Sequence, residues 1–291
     1  ESIESIRRNA PIAFSSQKRL VTAEDYRAQI LSNFGPFLDD VIAWGGHDNV
    51  PQIYGRVFAG LKFKSNIDVS TQADVKNQII NDLSENLAIM SIDLTFADAI
   101  TTKLILSTFF NLDPNLTSST SQSMENRVQG IIINFFNNNL KKFNKVFRRS
   151  NLLSEIDALD VAILNSRMEV KMQREQVIDV GQKLTYTITF PSTIASPDDV
   201  NRIITSSSFT LNSKTCNIRN VLNSNKLEVV DQDGTIQVDN VGSYDAIKGI
   251  VTLTGFGPAS VQGTGLQINA VPANQGTIRP LRNYILDVDT V

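Results

Sequence analysis

Hydrophobic and polar positions alternate cleanly over residues 55–64. Val57, Ala59, Leu61 and Phe63 fall on one face and Arg56, Gly60, Lys62 and Lys64 on the other, with Phe58 the exception. That two-residue period predicts a strand with one buried face. Upstream, Thr22 and Asp25 stand three residues apart at a helix start. The threonine hydroxyl can accept from an unpaired first-turn amide, and Asp25 takes the capping-box position. Val21 and Tyr26 occupy the two positions of a hydrophobic staple, and Pro11 stiffens the preceding arm, with Ala10 extended. A helix over about residues 23–33 follows, and Gly35-Pro36 ends it. The end of another helix and a tight turn are expected at Gly45-Gly46-His47-Asp48, before the strand.

The pattern then switches period. Ser70-Thr71 reads as a cap, with Thr71 and Asp74 repeating the Thr-x-x-Asp spacing, for a helix over about 72–87 with Val75, Ile79, Leu83 and Leu87 as its stripe. Residues 89–95 and 101–112 read as extended. Leu104, Leu106 and Phe110 on one face and Ile105 and Phe109 on the other predict an interior strand or one with a covered face. Asp113-Pro114 stops it, and a hydroxyl-rich stretch over 117–123 forms a loop and cap. A long helix over about 122–147 carries Met124, Val128, Ile131, Ile132, Phe135, Leu140, Phe143 and Phe147 at helical period, with Asn137-Asn138-Asn139 in its middle. Those asparagines read either as an exposed side or as a polar contact surface for another subunit. Ser150 is placed to cap a short helix through Asp157.

Residues 167–173 alternate with Met168, Val170 and Met172 inward, and residues 184–190 alternate Leu184, Tyr186, Ile188 and Phe190 against Thr185, Thr187 and Thr189. Gly181 between them makes an antiparallel pairing plausible. From Pro191 onward helix signals nearly vanish. A hairpin is expected across Asp233-Gly234, joining 226–230 to 235–238, and short strands at 249–254, 265–271 and 284–288. Even spacing of short strands points to a small β-sandwich or barrel. The expected class is α+β: an N-terminal mixed α/β region with a long helix packed on a small sheet, then an all-β C-terminal domain. The expected divisions are 1–65 (arm, helix and first strand), 66–175 (the rest of the α+β domain) and 176–291 (the β-rich domain), with the last boundary near 174–200.

Composition narrows the chemistry. The chain has 291 residues, 41% hydrophobic and 20% charged, with formal net charge −3. That is ordinary for a globular protein and provides no general field for nucleic acid. The one basic cluster, Lys141-Lys142 to Arg148-Arg149, reads as the solvated face and C-terminal end of a helix. No run is long or apolar enough to span a membrane, and the opening Glu1-Ser2-Ile3-Glu4 is not a signal peptide. The missing initiator Met suggests a fragment or a processed chain. A single cysteine, Cys216, excludes an intrachain disulfide framework and a multi-cysteine metal site, and favours folding in a reducing cytosol. Any histidine chemistry would run through the single His47, which reads as a loop residue beside Gly-Gly.

No motif rises to catalysis. Asp231-Gln232-Asp233-Gly234 lacks the later ligands of a calcium loop and fits a hairpin turn better. Gly255-Phe256-Gly257-Pro258 and Gly263-Thr264-Gly265 precede no helix and no Lys-Ser/Thr, so they are not phosphate cradles. Asp39-Asp40 are expected at a helix end and Asp198-Asp199 at a cap, and adjacent carboxylates alone make no acid/base pair. No catalytic, cofactor-binding or metal-binding residue is assigned. Trp44, His47 and Tyr54 around the glycine turn, with Asn137 and Asn138, are the candidate interaction residues.

The order of elements carries a resemblance. An Ala10-Pro11 arm is followed by Arg19-x-Val21-Thr22-x-x-Asp25-Tyr26, a helix and a glycine turn. Then come the strand Gly55-Arg56-Val57, a capped helix, an extended pair, a long helix with Phe147-Arg148-Arg149-Ser150, a short helix and a strand. This resembles the baseplate J-like family of contractile-tail phages and related injection machines, in particular its ring-forming wedge members, over about residues 10–173. Arg279-Pro280-Leu281-Arg282-Asn283-Tyr284 extends the likeness on fewer landmarks. The resemblance implies a structural virion protein of the tail baseplate, assembled in the host cytoplasm. It would self-associate (dimer or higher ring assembly), bind other baseplate wedge subunits, join wedges around the hub and rearrange on contraction, with no nucleic acid, membrane or cofactor. A part of the wedge protein upstream of this chain would then be missing. The alternative is a β-rich module recognising a glycan or host surface, for which Phe209, Tyr244, Phe256 and Tyr284 are the available aromatics. An enzyme ranks third, with His47 its last support.

Overall fold

The computed structural model describes residues 7, 20–49, 51–84 and 92–289. The Ala10-Pro11 arm and Leu87 lie outside these residues. Among the described residues there are four α-helices and seventeen strands, in two compact units. The class is mixed α+β with a β-rich C-terminal part.

The first unit takes residues up to Ile100 together with Lys142–Asn144 and Leu281–Ile285. Its helix α1 (Ala23–Phe34) starts as the local chemistry requires. The Asp25 amide donates to Thr22 Oγ1 at 3.2 Å, and the Thr22 amide donates to Asp25 Oδ2 at 2.8 Å. The next element differs from expectation. Residues before the glycine turn form a strand, β1 (Leu38–Gly45), which pairs antiparallel with β2 (Arg56–Phe63) from Leu38↔Phe63 to Gly45↔Val57. Asp39 and Asp40 therefore lie on a strand, not at a helix end. Val41, Ile42 and Trp44 are all buried, so β1 needs cover on both faces, a demand that extended backbone beside β2 meets.

From β2 the chain crosses through α2 (Val69–Ile79), which continues as a π turn over Ile80–Ser84, to β3 (Asp93–Asp98), parallel to β2. The cap of α2 is Asp68, which accepts from the Thr71 amide at 3.3 Å, three residues before the expected cap. Asp68 wins because a carboxylate is the stronger acceptor for a first-turn amide. Tyr26, Ile30 and Phe34 of α1 and Val75 and Ile79 of α2 pack with Val41, Val57, Ala59 and Leu61 of the sheet. A second cluster joins Ile42 and Trp44 to Phe143 and Ile285, with Phe58, Ala97 and Ala99 against it.

The second unit is larger. A twelve-stranded sheet begins with β17 (Tyr284–Val288), β4 (Ile100–Leu112) and β6 (Ile163–Gln176), and continues through β15 (Leu266–Ala270), β8 (Ile204–Ser206) and β10 (Lys214–Asn220). It ends with β11 (Lys226–Asp231), β12 (Ile236–Asp245), β13 (Ile250–Phe256) and β7 (Leu184–Thr189). Off that path, β9 (Phe209–Leu211) pairs with β10 and with β14 (Ser260–Val261). Met168, Val170 and Met172 face inward, as their alternation predicts. The Asp-Gly hairpin joins β11 to β12, with Gly234 at φ +82°. The expected pairing of 167–173 with 184–190 does not form: β6 pairs with β4 and β15, and β7 pairs with β13 at the far end of the sheet. Long-range register competes with proximity here, and β4 offers ten paired positions to β6. The C-terminal strands thus share one sheet with β4 and β6.

The long helix α3 runs Ser121–Asn139 and ends eight residues before the expected end at 147. Its Met124, Val128, Phe135 and Phe136 enter the core of this unit, with the large sheet, and not a small one. Leu140 closes the helix at φ −121°, and Asn144 takes φ +56° in the loop that follows. Phe147–Arg148 then form a two-residue strand, β5, against β16 (Thr277–Ile278). Arg148-Arg149 therefore sit beyond the helix whose end they were expected to mark. Helix α4 (Arg149–Asp157) starts from Arg148 with no side-chain cap, and Ser150 is inside it. Phe135, Phe136 and Phe147 form an aromatic chain, with centroids 6.2 and 5.9 Å apart.

Candidate interaction surface

The glycine turn is built around one carbonyl. Gly46 O accepts from the Asn49 amide at 3.1 Å and the Ile53 amide at 2.9 Å, so the loop from Gly46 to Gly55 folds back on its own start. A Cβ at Gly46 would lie 2.0 Å from Ile53 O, so no other residue fits this closure. Three of the five expected interaction residues lie on or beside this loop. Trp44 is a core residue, 9% exposed, stacked on Phe58 at 5.8 Å, with its indole N–H donating to Asn49 Oδ1 at 3.0 Å. It shapes the loop from beneath. His47 is exposed, its Nε2 3.1 Å from Asp48 Oδ1. Tyr54 is 75% exposed, and its hydroxyl donates to Gln52 Oε1 at 2.5 Å. The other two, Asn137 and Asn138, belong to the second unit. They are exposed in the last turn of α3, where asparagine tolerates the frayed backbone, and not in mid-helix.

A C-terminal strap completes the loop. Arg282 donates to Asp48 O, and Asn283 Nδ2 donates to Asp98 O at 2.5 Å. Asn283 O accepts from the Ile100 amide at 2.8 Å, and Ile285 is 4% exposed beside Trp44. Residues 142–144 add a second inserted segment, with the Phe143 amide donating to Asp40 Oδ2 at 2.8 Å. Sequence reading missed these partners. Arg282 and Asn283 stood out only as part of a likeness, and their partners are backbone carbonyls, which leave no signature in side-chain patterns.

The acidic motif in the β11–β12 hairpin is satisfied by protein groups. Asp231 accepts from Lys214 Nζ at 3.0 Å, the Thr235 amide at 2.9 Å and Gln237 Nε2 at 2.9 Å. The Lys214 ammonium, with the Thr235 amide, holds its carboxyl below the usual carboxylate range. Asp198 accepts from the Val200 and Asn201 backbone and from the Asn201 side chain in an Asx-type turn, with no helix following. The Asn201 side chain comes first in holding the Asp198 carboxyl low. Glu228, buried in the sheet, accepts from Arg219 Nε at 2.7 Å and has Arg202 Nη1 at 3.8 Å. Burial, then neighbouring Arg219, pushes the Arg202 guanidinium down. Burial pushes the Cys216 thiol up, the opposite of activation. The aromatics Phe209, Tyr244 and Phe256 turn inward. No cluster of three or more potential metal ligands occurs among the described residues.

Comparison with known proteins matches these elements in order. Residues 22–94 match the family model for baseplate structural protein gp6, C-terminal domain I. Residues 110–175 match the model for C-terminal domain III of the same protein. The chain is gp6-like.

The baseplate wedge protein gp6 of Enterobacteria phage T4 is 26% identical to it over 177 residues, 60% of this chain. The chain spans about a quarter of the length of that curated relative, whose matched part is 26% of it. The two gp6-matched stretches fall in different units, apart from Lys142–Asn144. The first contains the capping box, the glycine turn and the β1–β2 pair. The second contains α3, α4 and most of β6.

Proposed function

We propose that this gp6-like chain is a structural subunit of a contractile-tail baseplate, assembled in the host cytoplasm. It associates with itself and with other wedge subunits, joins wedges into a ring around the hub and rearranges on tail contraction. It acts without catalysis, cofactor, nucleic acid or membrane. The observation that carries this reading is the ordered match of two gp6 C-terminal models along one chain. The absence of any long apolar helix among the described residues is compatible with it.

Within this reading the Gly46–Gly55 loop is a contact surface. Tyr54 presents an aromatic ring in water on a backbone fixed at both ends, which limits the entropy lost on docking. Asn137 and Asn138 form a separate polar contact at the end of α3. The finer layout follows the same lines, with an arm-helix-strand start over 1–65, the rest of the α+β part over 66–175 and a β-rich tail. Equilibrium sedimentation of the chain alone and with co-expressed wedge subunits tests the proposal. Concentration-dependent self-association and co-sedimentation are expected. A monomer that binds no wedge subunit at any concentration overturns it.

A further inference from the structure

Apart from the two-residue β14, which ends a side branch, four strands end the two main sheets among the described residues, and three of them carry charge. β1 has Asp39 and Asp40, and Asp39 lies 3.6 Å from Lys62. β3 begins at Asp93 and ends at Asp98. β17 holds Asp287, paired with Lys141 at 3.0 Å. Charged residues along an edge are the usual means by which a sheet refuses another strand. β7 lacks every such device. Its six residues, Leu184-Thr185-Tyr186-Thr187-Ile188-Thr189, contain no charge, proline or glycine. They are β-branched or aromatic except for Leu184.

One side of β7 is occupied by β13, in the register Ile250↔Thr189, Val251↔Ile188, Thr252↔Thr187 and Leu253↔Tyr186. The other side ends the sheet. Tyr186 and Ile188 point into the core, 8% and 2% exposed, while Thr185 and Thr187 point outward and are exposed. Just before the strand, Val177 and Val180 are 69% and 52% exposed, and Leu184 itself is 38% exposed. An unpaired edge accepts one kind of occupant, an extended backbone, because only that matches its alternating donors and acceptors.

We propose that β7 pairs antiparallel with β7 of a second copy of this chain. This rests on the assembly reading above and assigns one of its self-contacts. The strand is self-complementary. With the two-fold axis at Thr187, that residue meets its own copy, Thr185 meets Thr189, and Tyr186 meets Ile188 on the inner face. Threonine pairs are favourable across antiparallel strands, and no charge opposes a like charge. A slip of one residue would set outward threonines against inward apolar residues, so the alternation selects the register. Six residues span about 20 Å at 3.4 Å per residue, so the contact is short and the dimer weak and concentration-dependent.

Introducing charge on the outward face tests the pairing. Thr185→Lys/Thr187→Lys and Thr185→Glu/Thr187→Glu change only exposed positions, and far-UV circular dichroism checks that each variant is folded. Sedimentation equilibrium of the full chain is expected to show a dimer for the parent. Each charged variant alone should associate at least about tenfold more weakly, because like charges then oppose across the axis. An equimolar mixture of the two should regain dimerisation. Undiminished dimerisation of both variants overturns the edge contact while leaving assembly through another surface intact. Failure of the mixture to recover also overturns it. So does a parent that stays monomeric throughout, an outcome that leaves binding to other wedge subunits untouched.

Discussion

Ile285→Ala removes three carbons from a side chain that is 4% exposed and packed in the cluster of Ile42, Trp44 and Phe143. At about 0.8 kcal/mol per buried carbon, the transfer loss is roughly 2.4 kcal/mol. The cavity left between Trp44 and Phe143 adds to it, for a total of about 3–4 kcal/mol. The strap contributes to one face of the first unit's sheet, so that unit should bear the loss. Trp44 is the only tryptophan in the chain, and its fluorescence reports that cluster alone. For a unit of roughly 100 residues the expected fall in the Trp-monitored melting midpoint is more than about 10 °C. A Trp-monitored midpoint within about 2 °C of the parent would refute the reasoning, because a side chain this buried cannot be removed so cheaply.

Three further outcomes follow from single residues. Gly242 sits at φ +152°, and a Cβ there would lie 2.0 Å from Thr252 O. Gly242→Ala should lower the urea midpoint by an amount worth at least about 2 kcal/mol. Tyr244 is 2% exposed and its hydroxyl has no hydrogen-bond partner among the described residues. Tyr244→Phe should therefore raise stability by about 1 kcal/mol in urea unfolding, since an unpaired buried hydroxyl costs more than it returns. Asp231 has its folded value depressed, chiefly by Lys214. Its stabilisation is thus fully present above the unfolded carboxylate value of about 3.9 and is lost as pH falls through the lower folded value. The stability gap between parent and Asp231→Asn should be constant near neutrality and close only below about pH 4; a gap unchanged into stronger acid would contradict the ion pair.

Local chemistry was legible in the sequence, and distant partnership was not. Thr22 and Asp25 meet across three residues, and the Asp233-Gly234 turn is set by its own backbone, so both could be read directly. The strand expected at 55–64 announced itself by alternation and forms as Arg56–Phe63, while those expected at 249–254 and 284–288 between Gly and Pro positions form as Ile250–Phe256 and Tyr284–Val288. Residues 38–45 did not, because β1 is buried on both faces and its apolar positions lose the two-residue period. The helical period past Asn139 misled for a related reason. Phe143 and Phe147 are buried, but one belongs to the first unit's cluster and the other to the second's. Among the interaction candidates, exposure of His47 and Tyr54 followed from the glycine turn. The burial of Trp44 depends on Phe143 and Ile285, which lie about 100 and 240 residues further along the chain.

The central claim is that this gp6-like chain is an assembly part of a baseplate. A cryo-electron microscopy map of baseplates purified from particles that carry the chain tests it most directly. The account predicts density that fits both units, in repeated copies around the hub, with neighbouring subunits against the Gly46–Gly55 loop. Baseplates with no density for either unit, in particles proven to contain the chain, would contradict it.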